Sequence, residues 1–296
     1  MAAVLFLVFN RPDLTKQVFD SIRAYKPARL YVAADGPRAQ KEGEAALCEQ
    51  VRSIVKQVDW PCELYTLFRE HNLGCKRAIM GGITWFFEHE EEGIILEDDC
   101  LPHPGFYRFC SSMLAHYRKD ERIGHICGTN FIEAADGVPY SHYLVPYAHN
   151  WGWASWRRVW KKFLEIELND ETIKPDKVPG NWSNKIYWVS KVKEANSGKV
   201  DTWDYQTQYM HWYLGHRAVL PIKNLISNIG FDARATHTTR ADQLLQNRRT
   251  QAFDFDDLRV ASEAENKAIE QRIYQTIFRR SSLAQARRAI KYLFKL

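Results

Sequence analysis

Short apolar runs alternate, through the first half of the chain, with segments whose apolar positions recur every three to four residues. Ala3–Phe9 is apolar throughout and rich in β-branched and aromatic side chains, the pattern of a strand covered on both faces. Pro12-Asp13 opens a helix with Leu14, Val18 and Ile22 on one face. Leu30–Ala34 reads as a second buried strand, stopped by the turn Asp35-Gly36-Pro37. The spacing then predicts a helix over Gln40–Val58 with Leu47, Val51, Ile54 and Val58 inward, and a strand over Cys62–Phe68. A turn at His71–Gly74 leads into a helix over Lys76–Phe87. Gly93–Leu96 is a fourth strand and runs straight into Glu97-Asp98-Asp99. A helix over Gly105–Tyr117 and a strand over Ile123–Cys127 follow.

This alternation predicts an α/β fold: a mainly parallel, Rossmann-like sheet flanked by helices. Ligands of such sheets bind beyond the carboxyl ends of the strands. Asn10-Arg11, Asp35-Gly36 and Glu97-Asp98-Asp99 all fall at such ends, which points to one site. Beyond residue 140 the alternation degrades. Short strands at Tyr140–Val145, Ala218–Leu220 and Leu225–Ile226 mix with helices at Ser155–Phe163, Ser183–Glu194 and Trp203–Tyr213. Thr236–Asp257 is polar and without period, the signature of a long loop. Ala261–Phe278 returns to helix with Ile269, Ile273 and Ile277 in line. Ser281 can cap a last helix carrying Leu283, Ala286, Ile290, Leu293 and Phe294 on one face.

Composition narrows the class. A hydrophobic content of 45% and a charged content of 26% are those of an ordinary soluble domain. No apolar run approaches the ~18–20 residues of a membrane span. Ala2–Phe9 lacks a basic leader and a small-residue cleavage site, so it reads as a strand and not as a signal peptide. Six cysteines without a C-x-x-C pair are expected to be reduced thiols of a cytosolic protein.

The net charge of +5 hides an asymmetry. Residues 271–296 carry seven basic side chains and no acidic one, which leaves 34 basic against 36 acidic, or −2, for residues 1–270. A near-neutral body argues against a nucleic-acid binder, which spreads positive charge over a folded face. The basic, amphipathic tail suits an anionic membrane surface, or else a helix docked on the domain or on a second subunit.

Several motifs carry chemistry. Three adjacent carboxylates at Glu97-Asp98-Asp99 repel one another. A divalent cation such as Mn²⁺ or Mg²⁺ relieves that repulsion and can bridge to a diphosphate; the plain alternative is an acidic turn in solvent. Asp35-Gly36 is either a simple turn or a carboxylate for a nucleobase N–H, with Gly36 admitting close approach. Asn10-Arg11 is either a turn pair before Pro12 or a cation for a diphosphate. His71–Arg77 leads into a helix N-terminus, where backbone N–H groups favour an anion and Lys76 and Arg77 add charge; it is not a Walker loop. Eight of the ten tryptophans lie between Trp151 and Trp212, and Trp151-Gly152-Trp153 suits either core packing or a sugar platform. In Asp201–Gln206, Asp201 looks like the cap of the following helix and Asp204 like a general base. His237 is either an ordinary surface or core histidine or a nitrogen ligand completing the metal shell.

Taken in order, Val8-Phe9-Asn10-Arg11, Ala34-Asp35-Gly36, Asn72-Leu73-Gly74, Glu97-Asp98-Asp99 with Pro104-Gly105-Phe106-Tyr107, Asn150-Trp151-Gly152-Trp153 and Trp203-Asp204 resemble nucleotide-sugar glycosyltransferases of the GT-A fold. Within these the chain is most similar to the N-acetylglucosaminyltransferase I family, which initiates complex N-glycans, and to bacterial family-2-type transferases. The resemblance spans roughly residues 3–237. It implies that Arg11 contacts the donor diphosphate, Asp35 the base (uracil of a UDP-sugar) and Asp98 the ribose region. It implies Asp99, with His237, as metal ligand and Asp204 as the base of an inverting transfer to a glycan or lipid-linked glycan. Asn10, Gly36, Asn72, Gly74, Lys76 and Glu97 would join the donor site, and Trp151, Gly152, Trp153 and Trp203 the acceptor sugar. The expected division is a donor half, 1–128, an acceptor half, 129–237, and an extension, 238–296, ending in the basic tail 281–296. The signal anchor of the Golgi relatives is missing, so a cytosolic enzyme, peripheral on the inner face of the membrane, is expected.

Two other classes compete. A sugar-1-phosphate nucleotidyltransferase carries a Gly-rich, Arg-containing loop after its first strand, which Asn10-Arg11-Pro12 does not supply. A non-catalytic carbohydrate-binding protein accounts for the tryptophans but not for an acidic triplet after a buried strand.

Overall fold

The structure, a computed structural model, describes residues 1–231, 247–253 and 255–278. His237 and the tail 281–296 lie outside them. In chain order the elements are β1 (Ala3–Val8), α1 (Pro12–Tyr25), β2 (Arg29–Ala34), α2 (Glu44–Val55), β3 (Glu63–Phe68), α3 (Cys75–His89), β4 (Glu92–Glu97) and β5 (Cys100–Pro102). Then come α4 (Pro104–His116), β6 (Ile123–Cys127), β7 (His142–Val145), β8 (Trp153–Trp156), α5 (Arg157–Glu165), α6 (Trp182–Asn196) and α7 (Asp204–Tyr213). Strands β9 (Arg217–Pro221) and β10 (Ile226–Asn228) and helix α8 (Glu263–Ile273) complete the order.

Eight strands form one sheet in the order β3-β2-β1-β4-β8-β6-β9-β7. β1 pairs in parallel with β2 and β4, β2 with β3, and β6 with β9. Only β8 and β7 run against their neighbours, so the sheet is mixed but mainly parallel. Helices flank it: α1 packs against α2 and α4, and α3 against α5. The fold is therefore the expected α/β, Rossmann-like one. β1 is buried at all six positions, as its unbroken apolar run requires. The sheet passes without a break from the first half of the chain into the second, where β8, β9 and β7 extend it.

Four local expectations need correction. The helix expected over Gln40–Val58 spans Glu44–Val55, and its buried stripe is Glu44, Cys48, Val51 and Val55 while Leu47 is exposed. Glu44 turns inward because Arg38 and Asn10 bond its carboxylate, and this rotates the helix by one position. The helix expected from Ser155 starts at Arg157, because Trp153–Trp156 is a strand wedged between β4 and β6. The last described helix ends at Ile273 and continues as a wider π turn through Phe278. Its start is fixed by a capping box between Ser262 and Glu265. Asp201 does not cap α7, whose first amide, Asp204 N, donates instead to Thr202 Oγ1 at 3.5 Å.

Candidate active site

Val8 of β1 sits opposite Ala34 of β2, and Leu7 opposite Glu97 of β4. The polar residues that follow these strands therefore emerge along one edge of the sheet. Arg11 reaches across from β1, pairs with Asp98, and brings Nη2 to 3.0 Å from Asp99 Oδ2. Burial works against the Arg11 charge, but the two carboxylates hold it protonated. Burial pushes the Asp98 carboxyl up to about 6, against the pull of Arg11. Glu97 is raised as well, by burial and then by the charges of Asp99, Asp204 and Asp98. Ile229, just past β10, donates its N–H to the Asp99 carbonyl at 2.9 Å and so pins the acidic turn from the far half of the chain.

Asp35 organises the neighbouring corner. Its carboxylate accepts from Gly36 N at 2.9 Å, from Leu73 N at 3.0 Å and from Asn72 Nδ2 at 2.9 Å. Gly74 N donates in turn to Asn72 Oδ1 at 3.2 Å. Burial raises the Asp35 carboxyl despite these donors. Asn10 Nδ2 donates to Glu44 Oε1 at 2.9 Å. Glu44 is buried and held down to about 2 by hydrogen bonds from Arg38.

A cavity of about 180 Å³ at this edge is lined by Asn10, Arg11, Asp35, Asn72, Gly74, Glu97 and Asp98. Arg38, Arg69, Cys75 and Asp201 line it too, four residues that the sequence alone does not assign to the site. Cys75 was visible in the sequence as part of the turn-to-helix motif; Arg38 follows the Asp35 turn by three residues. Burial, reinforced by Glu97, Asp204 and Asp201, raises the Cys75 thiol and keeps it protonated. Gly36 and Lys76 do not line this cavity, and Lys76 Nζ bonds the Ala195 carbonyl at 3.4 Å.

Asp204 opens α7 and is exposed. Asn150 Nδ2 donates to its Oδ1 at 3.2 Å, and Thr202 Oγ1 to its Oδ2 at 3.3 Å. Asp204 does not line the cavity, but its charge helps raise both Glu97 and Cys75, which do. The tryptophans divide. Trp153 and Trp203 are 2% and 1% exposed and stack on each other at 5.9 Å, so their faces are spent on the core and not offered to a sugar. Trp151 is half-buried against Phe131 and Phe231. Gly152 has φ +57°, and a side chain there would run into Ile226.

Among the described residues no group of three or more His, Cys, Asp or Glu side chains is arranged to hold a metal ion. Asp99 nonetheless offers a hard carboxylate beside Asp98. A magnesium-type ion is commonly held by one or two carboxylates, with water and substrate phosphate completing its shell, and the donors present fit that pattern. Among the described residues no helix is long and apolar enough to cross a membrane. All six cysteines are free.

No protein-family model and no curated protein matches the chain. Solved structures do. A mannosyltransferase from Pyrobaculum calidifontis, in complex with GDP-Man and Mn²⁺, is similar at 12% identity over 72% of this chain and 69% of that one, with a TM-score of 0.39. TarS 1-349 of S. aureus is similar at 12% identity over 76% of this chain and 60% of that one, TM-score 0.43. A UDP-glucose pyrophosphorylase complexed with UDP-glucose is similar at 10% identity over 77% and 93%, TM-score 0.40. Likeness this distant decides neither reaction nor substrate.

Proposed function

We propose that the chain is a nucleotide-sugar glycosyltransferase of the GT-A type, with a UDP-sugar donor and a glycan hydroxyl as acceptor. The observation that carries the reading is convergence. Arg11, Asp35 and Glu97–Asp99 meet at the carboxyl edge of β1, β2 and β4, and the charge of Asp204 at the start of α7 reaches Glu97. A carbohydrate-binding module has no use for that acidic cluster.

In this reading Asp35 and Asn72 meet the base, and Arg38 and Arg69 stand beside it as local cations. Arg11 turns from the carboxylates to the diphosphate. Asp204, oriented by Asn150 and Thr202, takes the proton of the acceptor hydroxyl. The hydroxyl oxygen bonds to the anomeric carbon as the bond to the diphosphate breaks, and that electron pair leaves with the nucleoside diphosphate. Displacement on the opposite face inverts the configuration. Asp99, together with His237, would hold Mn²⁺ or Mg²⁺, which when bound neutralises charge on the departing diphosphate. Residues 1–128 form the donor half and 129–237 the acceptor half, with Trp151 at the acceptor sugar. The basic tail 281–296 addresses an anionic cytosolic leaflet carrying a lipid-linked acceptor.

The test is a panel of UDP-, GDP- and CMP-sugars with and without Mn²⁺, read as nucleotide release and as the anomeric configuration of the product. One donor is expected to turn over with inversion. Asp204→Asn is expected to lower transfer by about 10²–10⁴-fold while donor affinity is kept. Pyrophosphate release from a nucleoside triphosphate and a sugar 1-phosphate would make the chain a nucleotidyltransferase instead. Glycan binding indifferent to EDTA and nucleotide, with no donor turnover, would make it a binding protein.

A further inference from the structure

We propose that Asp201 is a positioning residue that locks the catalytic base to the donor site; this rests on the reading of Asp204 as that base. The Asp201 carboxylate spans from the loop before α7 to the start of α3. Its Oδ2 accepts from Cys75 N at 2.7 Å and its Oδ1 from Lys76 N at 3.0 Å, across 126 and 125 residues of sequence. Both bonds are charge-assisted, and they place a negative group at the positive end of a helix. The turn is shaped to receive it. Gly74 has φ +80°, and a Cβ there would lie 2.6 Å from Asp201 Oδ2.

Each end of this contact belongs to the site. The turn before α3 is the one that Asp35 and Asn72 hold through Leu73 N and Gly74 N. At the other end, Thr202 is the next residue after Asp201 and bonds Asp204 Oδ2. One short stretch thus joins the donor corner to the base. Thr202 Oγ1 also accepts from Asp204 N at 3.5 Å, so the contacts made by Asp201, Thr202 and Asn150 hold the Asp204 carboxylate in place. Asp201 itself is exposed and lines the donor cavity beside Gly74 and Cys75.

The experiment uses the full chain and the donor that turns over in the panel above, with water and azide as competing acceptors. Water must lose a proton to the base as it attacks. Azide attacks the anomeric carbon with no proton to give up, so it reports donor site and fold without the base. Asp201→Ala is expected to lower kcat for hydrolysis by on the order of 10²-fold, the effect of roughly 1 Å of misplacement. Because Asp201 lines the donor cavity, donor KM and azide-dependent cleavage should change too, but by roughly ten-fold less than kcat for hydrolysis. Asp201→Asn keeps an acceptor for the α3 amides and should recover part of the loss. Equal loss of the azide and water reactions would reduce Asp201 to a structural contact and overturn the proposal. So would tighter donor binding in Asp201→Ala, which would make the carboxylate a competitor for the diphosphate seat. Wild-type hydrolysis by Asp201→Ala beside a dead Asp204→Asn sinks this proposal alone. Wild-type hydrolysis by Asp204→Asn sinks the base assignment as well.

Discussion

Arg11 Nη2 lies 3.0 Å from Asp99 Oδ2 while the same guanidinium pairs with Asp98, so one arginine answers two of three adjacent acids. This lets the chain fold with Glu97-Asp98-Asp99 side by side before any ligand arrives. Asp98 is only 3% exposed. Arg11→Met should therefore leave a buried charge without a partner and cost about 3–5 kcal/mol. Burial already raises the Asp98 carboxyl to about 6, so protonation relieves the strain as pH falls. Losing the pull of Arg11 raises that carboxyl further, so the deficit should be smallest below about pH 6 and should grow as pH rises above it. Urea unfolding of Arg11→Met at pH 7.5 and 5.5 checks this, and adding Asp98→Asn to the variant should restore most of the loss at the higher pH.

Gly74 combines a backbone that favours glycine with a carboxylate packed where a Cβ would go. At φ +80° and ψ 165° it lies in a region that costs a side-chain-bearing residue of order 1–3 kcal/mol. Gly137 offers the control, since its φ is +77° and nothing lies within 4 Å of an added Cβ. Gly74→Ala should lower Tm more than Gly137→Ala does. Adding Asp201→Ala should remove the steric part, so the two losses at 74 and 201 should not add. Thermal melts of the four variants measure that coupling.

Much of the sheet could be read in advance, because β1, β2 and β4 are buried on both faces and show as unbroken apolar runs. The same property placed Arg11, Asp35 and Glu97–Asp99 at one edge. β8 could not be read. Its centre is Ala154-Ser155, small residues that fit between β4 and β6, and the helical spacing of Trp156, Trp160 and Phe163 masks it. The partners of Asp201 were equally hidden. A carboxylate three residues before a helix looks like that helix's cap, and nothing local reveals amides 125 residues away. The acidic triplet was legible, but its resident partner was not, because a lone Arg11 carries no mark of where it points.

The tryptophan-rich stretch should separate by burial. Trp151 is half-buried against Phe131 and Phe231, next to the Asn150 that bonds Asp204, whereas Trp153 stacks on Trp203 and on His125 inside the core. Trp153→Ala should cost about 3–5 kcal/mol and be seen as a loss of the unfolding midpoint. Trp151→Ala should keep the midpoint and instead raise the KM for the glycan acceptor. An unchanged acceptor KM would remove Trp151 from the acceptor site.

Acid should unfold this protein through its buried histidines. His125 lies flat on Trp153 with centroids 4.8 Å apart, His211 meets it edge-on at 5.2 Å, and His216 is 5.7 Å beyond. Burial is the largest influence on all three, bringing His125 and His216 down to about 4 and His211 well below its ordinary value. The folded chain thus holds them neutral, while the unfolded chain protonates them near pH 6.5. Between about pH 6.5 and 4 the unfolded state binds more protons, so stability must fall as pH falls, by about 1.4 kcal/mol per pH unit for each proton. The raised carboxyls of Glu97 and Asp98 act in the opposite direction, so single variants are needed to isolate the effect. Urea midpoints measured from pH 7.5 to 4.5 should slope downward with acid. His125→Phe, which keeps the ring on Trp153, should flatten that slope by about one proton. A slope unaltered in His125→Phe would mean that His125 titrates alike in the folded and unfolded chains.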